Sequence, residues 1–458
     1  MDNQIKELPN VVTKCPTIST LLLQGNKMFS EVPDHFVRAF TSLKILDLSY
    51  CDGIKSLPAY LERLVDLRAL FLKSCQHLET LPPLGGLAKL QVLVCSGTSI
   101  SALPQGMEKL RSLRRLDLSY NSKLTVIPCG VMSGLSNLEY LDMRWSRVKF
   151  IGERGEISNL FKEILPLDRL IVLLVDVDSS ASTLETTKTL LNKMMKFKRF
   201  EIFISSDMGF PDYRAGSKKL FFLNIHVRGE RMAWLFANST NITFKGCGGL
   251  DMMFANLVAN RDEVGSFDSV KLLSIIQCKD GFGVGSHAKF DMLPNLEEIW
   301  LDSLTNLSCI LDLALPLGLK FSKLRYITVS DCPELKYLIP LGTTVPSLEK
   351  LELVFCKQVE EVFKFDKNSV IEDTSITVFP KLRMIKLLNC PRLRLLNAAC
   401  PRLENLYVWR CPLLKKLPLT AQNVGTFKEI RGEQEWWDQL EWENDDIKNN
   451  LQHCFRPH

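Results

Sequence analysis

The chain has 458 residues, 46% of them hydrophobic and 24% charged, with 57 basic against 52 acidic side chains and a formal net charge of +5. That share of apolar side chains excludes general disorder, and so small a basic surplus is far from the stripe of a nucleic-acid binder, so no nucleic-acid partner is expected. No run approaches the roughly 18 apolar residues of a membrane span and the first residues hold no apolar signal core, so a cytoplasmic location is expected, with any membrane attachment peripheral and through partners.

In chain order, Ile5, Leu8 and Pro9 match only the back half of the unit that follows. The chain thus begins in mid-copy, and either a preceding segment or another chain is expected to cover that edge. The first full copy is Ile18, Leu21, Leu23 and Asn26. Then come Leu43, Leu46, Leu48 and Cys51; Leu67, Leu70, Leu72 and Cys75; Leu90, Leu93, Cys95 and Thr98; Leu113, Leu116, Leu118 and Asn121; and Leu138, Leu141 and Met143. From Leu43 on, successive copies lie 24, 23, 23 and 25 residues apart. This phrase at this period is the signature of a leucine-rich repeat. In each copy the two central apolar residues of a short strand point inward and the residues between them outward. Leu57-Pro58 followed by Leu61 and Leu64, and Leu103-Pro104 followed by Met107 and Leu110, predict a short helix or 3-10 turn on the convex side.

Between about residues 150 and 295 the beat loosens. Degenerate strands are expected at Leu170-Leu173-Val175, Phe197-Phe200-Ile202, Leu220-Leu223-Ile225, Ile242-Phe244-Cys247 and Val270-Leu273-Ile275-Cys278. Regular copies return at Leu296, Leu324, Leu348, Leu382 and Leu403, and Phe427-Ile430 begins a last, atypical one. The fold class is therefore α/β, a leucine-rich-repeat solenoid (horseshoe) of about 16 or 17 copies, with a parallel sheet on the concave face and irregular helices or 3-10 turns on the convex face. The solenoid is placed at 1–425, regular over 18–146, degenerate over about 150–295 and regular over 296–414. Residues 426–458, where Trp436, Trp437, Leu440, Trp442, Ile447, Leu451 and Phe455 alternate with acidic residues, form a capping segment.

Of the 14 cysteines, Cys51, Cys75, Cys247, Cys278, Cys332, Cys356, Cys390 and Cys411 all close a repeat phrase, where a small side chain turns inward. A buried, reduced ladder is expected rather than disulfides. No C-x-x-C pair exists, so no metal site is expected. No nucleophile elbow, H-E-x-x-H helix or other defensible catalytic spacing is legible, and the chain is read as a binding module, not an enzyme.

The stretch from Asn3 to Ser146, with Leu21-Leu22-Leu23-Gln24-Gly25-Asn26, Leu43-Lys44-Ile45-Leu46-Asp47-Leu48-Ser49 and Leu103-Pro104, resembles the repeat domain of plant nucleotide-binding leucine-rich-repeat disease-resistance proteins of the coiled-coil class. Cys332-Pro333, Cys411-Pro412 and the Trp436-Trp437 ending extend the resemblance over nearly the whole chain. It implies a role in innate immunity: protein–protein binding to a pathogen effector or a guarded host protein, and autoinhibitory contact with an upstream nucleotide-binding and coiled-coil region in cis or in trans. This chain has no phosphate loop; Gly281 to Ser286 is read as a convex loop. No cofactor is therefore expected, ADP or ATP belonging only to an upstream nucleotide-binding domain of the intact protein. A stand-alone adaptor, such as a ubiquitin-ligase substrate receptor, is the second reading, but no F-box-like segment is legible. An extracellular ligand binder is the third, and it lacks a signal peptide.

Candidate partner-binding residues on the concave face are Phe71, Lys73, Arg144, Trp300, Tyr326, Tyr407 and Trp409, because aromatic and arginine side chains dominate interface hot spots. Lys193, Lys196, Lys198 and Arg199 form a basic cluster suited to an intramolecular contact with an acidic surface.

Overall fold

Alternation of apolar and polar residues builds the regular copies. In Glu298–Asp302, Tyr326–Ser330, Lys350–Val354, Met384–Leu388 and Asn405–Trp409 the second and fourth residues are buried and the other three half-exposed. One copy cannot bury its inner face alone, so the strands stack side by side in parallel. The computed structural model describes residues 5–9, 13–28, 30–146, 148–152, 157–158, 160–178, 194–205, 217–227, 233–259, 267–279, 291–340, 343–364, 379–396, 399–417, 419, 425–442 and 445–457. The expected convex loop at Gly281 to Ser286 lies outside them. The chain divides into two units, Met1–Lys218 and Lys219–His458.

In the first unit the strands Thr20–Leu22, Ile45–Asp47, Ala69–Phe71, Val92–Val94, Arg115–Asp117, Tyr140–Met143, Val172–Asp178 and Arg199–Ser205 pair in parallel, in chain order. Leu46, Leu70, Leu93, Leu116, Leu141, Leu173 and Phe200 fall in one inward column and are all buried. The expected return turns are 3-10 segments at Ala59–Arg63 and Met107–Lys109, and a short α-helix at Asp34–Arg38.

In the second unit Lys218–Leu223, Asn241–Lys245, Leu272–Ile276, Glu298–Asp302, Tyr326–Ser330, Lys350–Val354, Met384–Leu388, Asn405–Trp409, Glu429–Gly432 and Phe455–Pro457 pair in the same manner. Helices Leu250–Ala259 and Leu311–Leu317 serve as return segments. Phenylalanine replaces leucine inside the irregular copies: the Phe222 ring stacks on Phe244 at 4.9 Å and on Phe236 at 5.7 Å.

Two local readings change. At Leu220-Leu223-Ile225 the inward pair is Leu220 and Phe222, in register with Ile242 and Phe244, and Ile225 takes the ladder position after the turn. Leu220-Phe221-Phe222-Leu223 is apolar throughout, so its alternation cannot reveal which side faces in. The closing segment also adds a strand, Phe455–Pro457, which pairs with Glu429–Gly432. Among the described residues, no helix is long and apolar enough to cross a membrane.

Candidate interaction surface

Each strand ends in a tight turn that fixes where its outward side chains stand. The residue before the ladder position adopts a left-handed backbone in copy after copy: Tyr50, Ser74, Tyr120, Trp145, Gln277, Asp331, Phe355, Asn389 and Arg410, with glycine in three others at Gly25, Gly97 and Gly246. Next to it the ladder side chain satisfies buried backbone. Asn121 donates to the Cys95 and Leu118 carbonyls at 2.9 Å and accepts from the Thr98 amide at 2.8 Å. The Cys51 and Cys75 thiols donate to the Leu23 and Leu48 carbonyls of the preceding copies at 3.1 and 3.0 Å, and Ser146 to Leu118 at 2.6 Å. These thiols carry no reactive thiolate, since burial pushes Cys51 up to about 11 and Cys75 up to about 12.

Sheet register then sorts the expected binding residues into columns. In the first unit Phe71 lies on the central outward column between Asp47 and Val94, half-buried. Lys73 is exposed beside it, its ammonium 5.7 Å from the Tyr50 ring. Arg144 is held from within. Its guanidinium forms a bidentate pair with Asp142 at 3.0 and 2.8 Å and reaches Glu201 at 2.6 Å, while Arg199 pairs with Glu201 from the other side at 2.7 Å. Asp142 and Glu201 are buried on the same column, and burial raises the Asp142 carboxyl while Arg144 opposes the rise. Arg144 is therefore a clamp for two buried carboxylates as well as a surface group.

In the second unit Trp300 stands on the central column between Ser274 and Thr328, and Tyr326 on the adjoining column of the next strand. Tyr407 and Trp409 occupy successive outward positions of one strand, roughly 7 Å apart by strand rise. Tyr407 donates to Glu429 at 2.9 Å; burial and that bond raise its phenol. The fold thus brings together Trp300 with Tyr326 and Tyr407 with Trp409, and sets the two pairs on strands three to four positions apart. Between them lie Glu352, Lys350 and Lys386, paired at 3.0 and 3.9 Å.

Three residues of the expected basic cluster are placed, all of them exposed. They are Lys196, Lys198 and Arg199, the last also pairing with Glu201 on the sheet, and Lys193 lies outside the described residues. The sequence reading also missed an aromatic row at the strand ends. Tyr120 is 55% exposed and stacks on Trp145 at 6.2 Å, which in turn lies 6.0 Å from Phe203. Its signal is an aromatic residue just before the ladder position in some copies, as in Ser49-Tyr50-Cys51 and Ser119-Tyr120-Asn121.

A family model described as a leucine-rich repeat region matches residues 27–244. A disease resistance protein of Arabidopsis thaliana is 33% identical over 477 residues, covering 100% of this chain and 47% of the relative. A probable disease resistance protein of the same plant is 35% identical over 441 residues, covering 94% of this chain and 47% of the relative. The chain thus spans about half the length of the curated relatives it matches. Among solved structures, a leucine-rich-repeat protein of Leptospira interrogans aligns over 82% of this chain and 79% of its own at 19% identity, with a TM-score of 0.49.

Proposed function

The chain carries a leucine-rich repeat region and is related along its whole length to plant disease-resistance proteins, and from that premise we propose that it is a recognition module of plant innate immunity. It binds a protein, either a pathogen effector or a guarded host protein, and works as a binding module rather than an enzyme. The outward columns of the sheet carry this reading: Trp300, Tyr326, Tyr407 and Trp409 are half-exposed on rigid strands, where aromatic side chains contribute most to interfaces. A second contact, with an upstream nucleotide-binding region in cis or in trans, restrains that region; the exposed Lys196 and Lys198 are its candidate residues. ADP or ATP enters this reading only through that region. The site of action is the cytoplasm.

The test joins this chain to the remainder of a disease-resistance relative and expresses it in leaf tissue. Trp300→Ala with Tyr407→Ala and Trp409→Ala is expected to abolish triggered cell death at unchanged protein level. Lys196→Glu with Lys198→Glu is expected to give cell death without a trigger. A normal triggered response from the aromatic variant removes the sheet face as the recognition surface.

A further inference from the structure

The turns that end the strands of the first unit set their left-handed residues in one row. The Tyr50 amide donates to the Lys73 carbonyl and the Ser74 amide to the Ser96 carbonyl, both at 2.7 Å. Gly97 donates to Ser119 at 2.8 Å and Tyr120 to Arg144 at 2.7 Å. Members of the row therefore stand about one strand spacing, roughly 4.8 Å, apart, in the order Tyr50, Ser74, Gly97, Tyr120 and Trp145. Tyr120 stacks on Trp145 with the ring planes 17° apart. Its other face is turned toward Gly97, and the residue is 55% exposed. Gly97 leaves the next place in that stack empty: the nearest atoms a Cβ there would meet belong to Ser74, at 3.5 Å or more. Tyr120 is held at φ 59°, against the preference of a bulky residue, and its exposed ring adds little to the core, so packing does not account for it. Across the empty place from Tyr120 stands Lys73. It is exposed, its ammonium lies over the Tyr50 ring, and no carboxylate pairs with it among the described residues.

We propose that the place over Gly97 receives an aromatic side chain from an extended segment of a protein partner, and that an acidic side chain two residues along the same segment pairs with Lys73. The incoming ring continues the stack of Trp145 and Tyr120, since one strand spacing lies within the roughly 4.5–7 Å at which neighbouring rings attract. Lys73 is one strand and one residue away from Gly97, about 6 Å, and alternate side chains of an extended segment stand on one side about 6.6 Å apart. That match sets the pattern aromatic, any residue, acid. A cation without a counter-ion beside the ring selects the acid over a neutral or basic side chain. The proposal rests on the reading of this chain as a protein-binding module, but not on the aromatic pairs of the sheet face.

Saturation-transfer NMR on the full chain tests this with three end-blocked pentapeptides. They are glycine-tryptophan-serine-glutamate-glycine, the same with leucine for tryptophan, and the same with lysine for glutamate. The first is expected to bind at least roughly fivefold more tightly than either of the others. Gly97→Tyr fills the place with the residue that the same backbone already holds at Tyr50 and Tyr120. It should weaken the first peptide at least roughly tenfold without changing the melting temperature. Tyr120→Ser should weaken it too, and Lys73→Met should abolish the preference for glutamate over lysine. Trp300→Ala with Tyr407→Ala and Trp409→Ala should leave peptide binding unchanged, so a failure here is distinct from a failure of the sheet face, which triggered cell death judges. Absence of binding up to about 10 mM overturns the proposal, as does equal binding of the tryptophan and leucine peptides or of the glutamate and lysine peptides. Full-strength binding by a folded Gly97→Tyr chain, or loss of binding in the sheet-face variant, overturns it as well. The comparison of the three peptides on the unaltered chain decides the matter even where Gly97→Tyr fails to fold.

Discussion

Arg144 is worth more to the first unit as a counter-ion than its position on the outward face suggests. Asp142 and Glu201 are almost fully buried, and both rely on its guanidinium. Removing one partner of such a cluster leaves uncompensated buried charge, so Arg144→Ala is expected to cost about 3 kcal/mol at pH 7, measured by urea unfolding. Burial raises the Asp142 carboxyl above its ordinary value. The folded state therefore takes up that proton before the unfolded chain does, and the stability of protonated Asp142 is present in acid and lost as pH rises through the folded value. Without Arg144 that value climbs further, so the penalty should shrink between pH 7 and pH 5; equal penalties at both would contradict the clamp. The ladder thiols make a second residue-scale test. Burial holds Cys332 up to about 12 and Cys356 up to about 11, leaving a thiolate fraction at pH 8 of about one in a thousand or less. Mass spectrometry after native alkylation should find label at Cys15 and Cys129, which are half-exposed, and at Cys51, Cys332 and Cys356 only after unfolding. The inward ladder was legible in sequence because a fixed phrase places a small residue at a fixed offset. The left-handed aromatics were not, because nothing in composition says that Tyr50 or Tyr120 must adopt positive φ; only the sheet ending in front of them imposes it.

At the scale of elements, the residues preceding seven successive strands of the second unit, from Leu272–Ile276 to Glu429–Gly432, alternate in charge along the stack: Lys271, Glu297, Arg325, Glu349, Arg383, Glu404 and Lys428. Neighbours pair in turn, with Lys271 to Glu297 at 2.8 Å, Arg325 to Glu349 at 2.9 Å, Arg383 to Glu404 at 3.7 Å and Lys428 to Glu404 at 2.7 Å. Single exposed pairs contribute little, but a chain of them fixes which copy follows which and penalises a slip by one repeat. Glu349→Lys puts three cations in a row and is expected to cost about 1 kcal/mol at low salt, with much of the loss disappearing at 1 M salt. A salt-independent loss would point to packing instead. This row was readable in the sequence, one residue after the first leucine of each phrase, but only knowing the parallel register shows that the charges face one another. On the return side the limit is steric. A Cβ on Gly134 would lie 2.3 Å from the Glu108 carbonyl oxygen, whereas one on Gly425 would meet nothing within 4 Å. Gly134→Ala should therefore destabilise by about 2 kcal/mol or more, and Gly425→Ala should be neutral.

At the scale of the whole array, a stack of repeats is held by nearest neighbours, so damage at one end should stay near that end. The closing copies of the second unit rest on Trp437, which is buried, stacks on Phe455 at 4.4 Å and bonds Gln452. Phe455 in turn belongs to the last strand, in register with Ile430. Alternating tryptophans and acids set this closing segment apart in the sequence, yet concealed the strand Phe455–Pro457, since three residues after a helix carry no period to read. Trp437→Ala removes the ring that joins cap to strand and is expected to cost about 3–5 kcal/mol locally. Hydrogen exchange should then accelerate across Glu429–Gly432 and Asn405–Trp409 and fade toward Leu272–Ile276. Cutting the chain after residue 425 goes further: it bares Leu406 and Val408 on an open sheet edge, and insoluble protein is the expected product. If the truncated chain stays soluble and monomeric with unchanged melting, the cap assignment fails. If Trp437→Ala speeds exchange equally along the second unit, the repeats there unfold as one block, and nearest-neighbour coupling is the wrong description of this array.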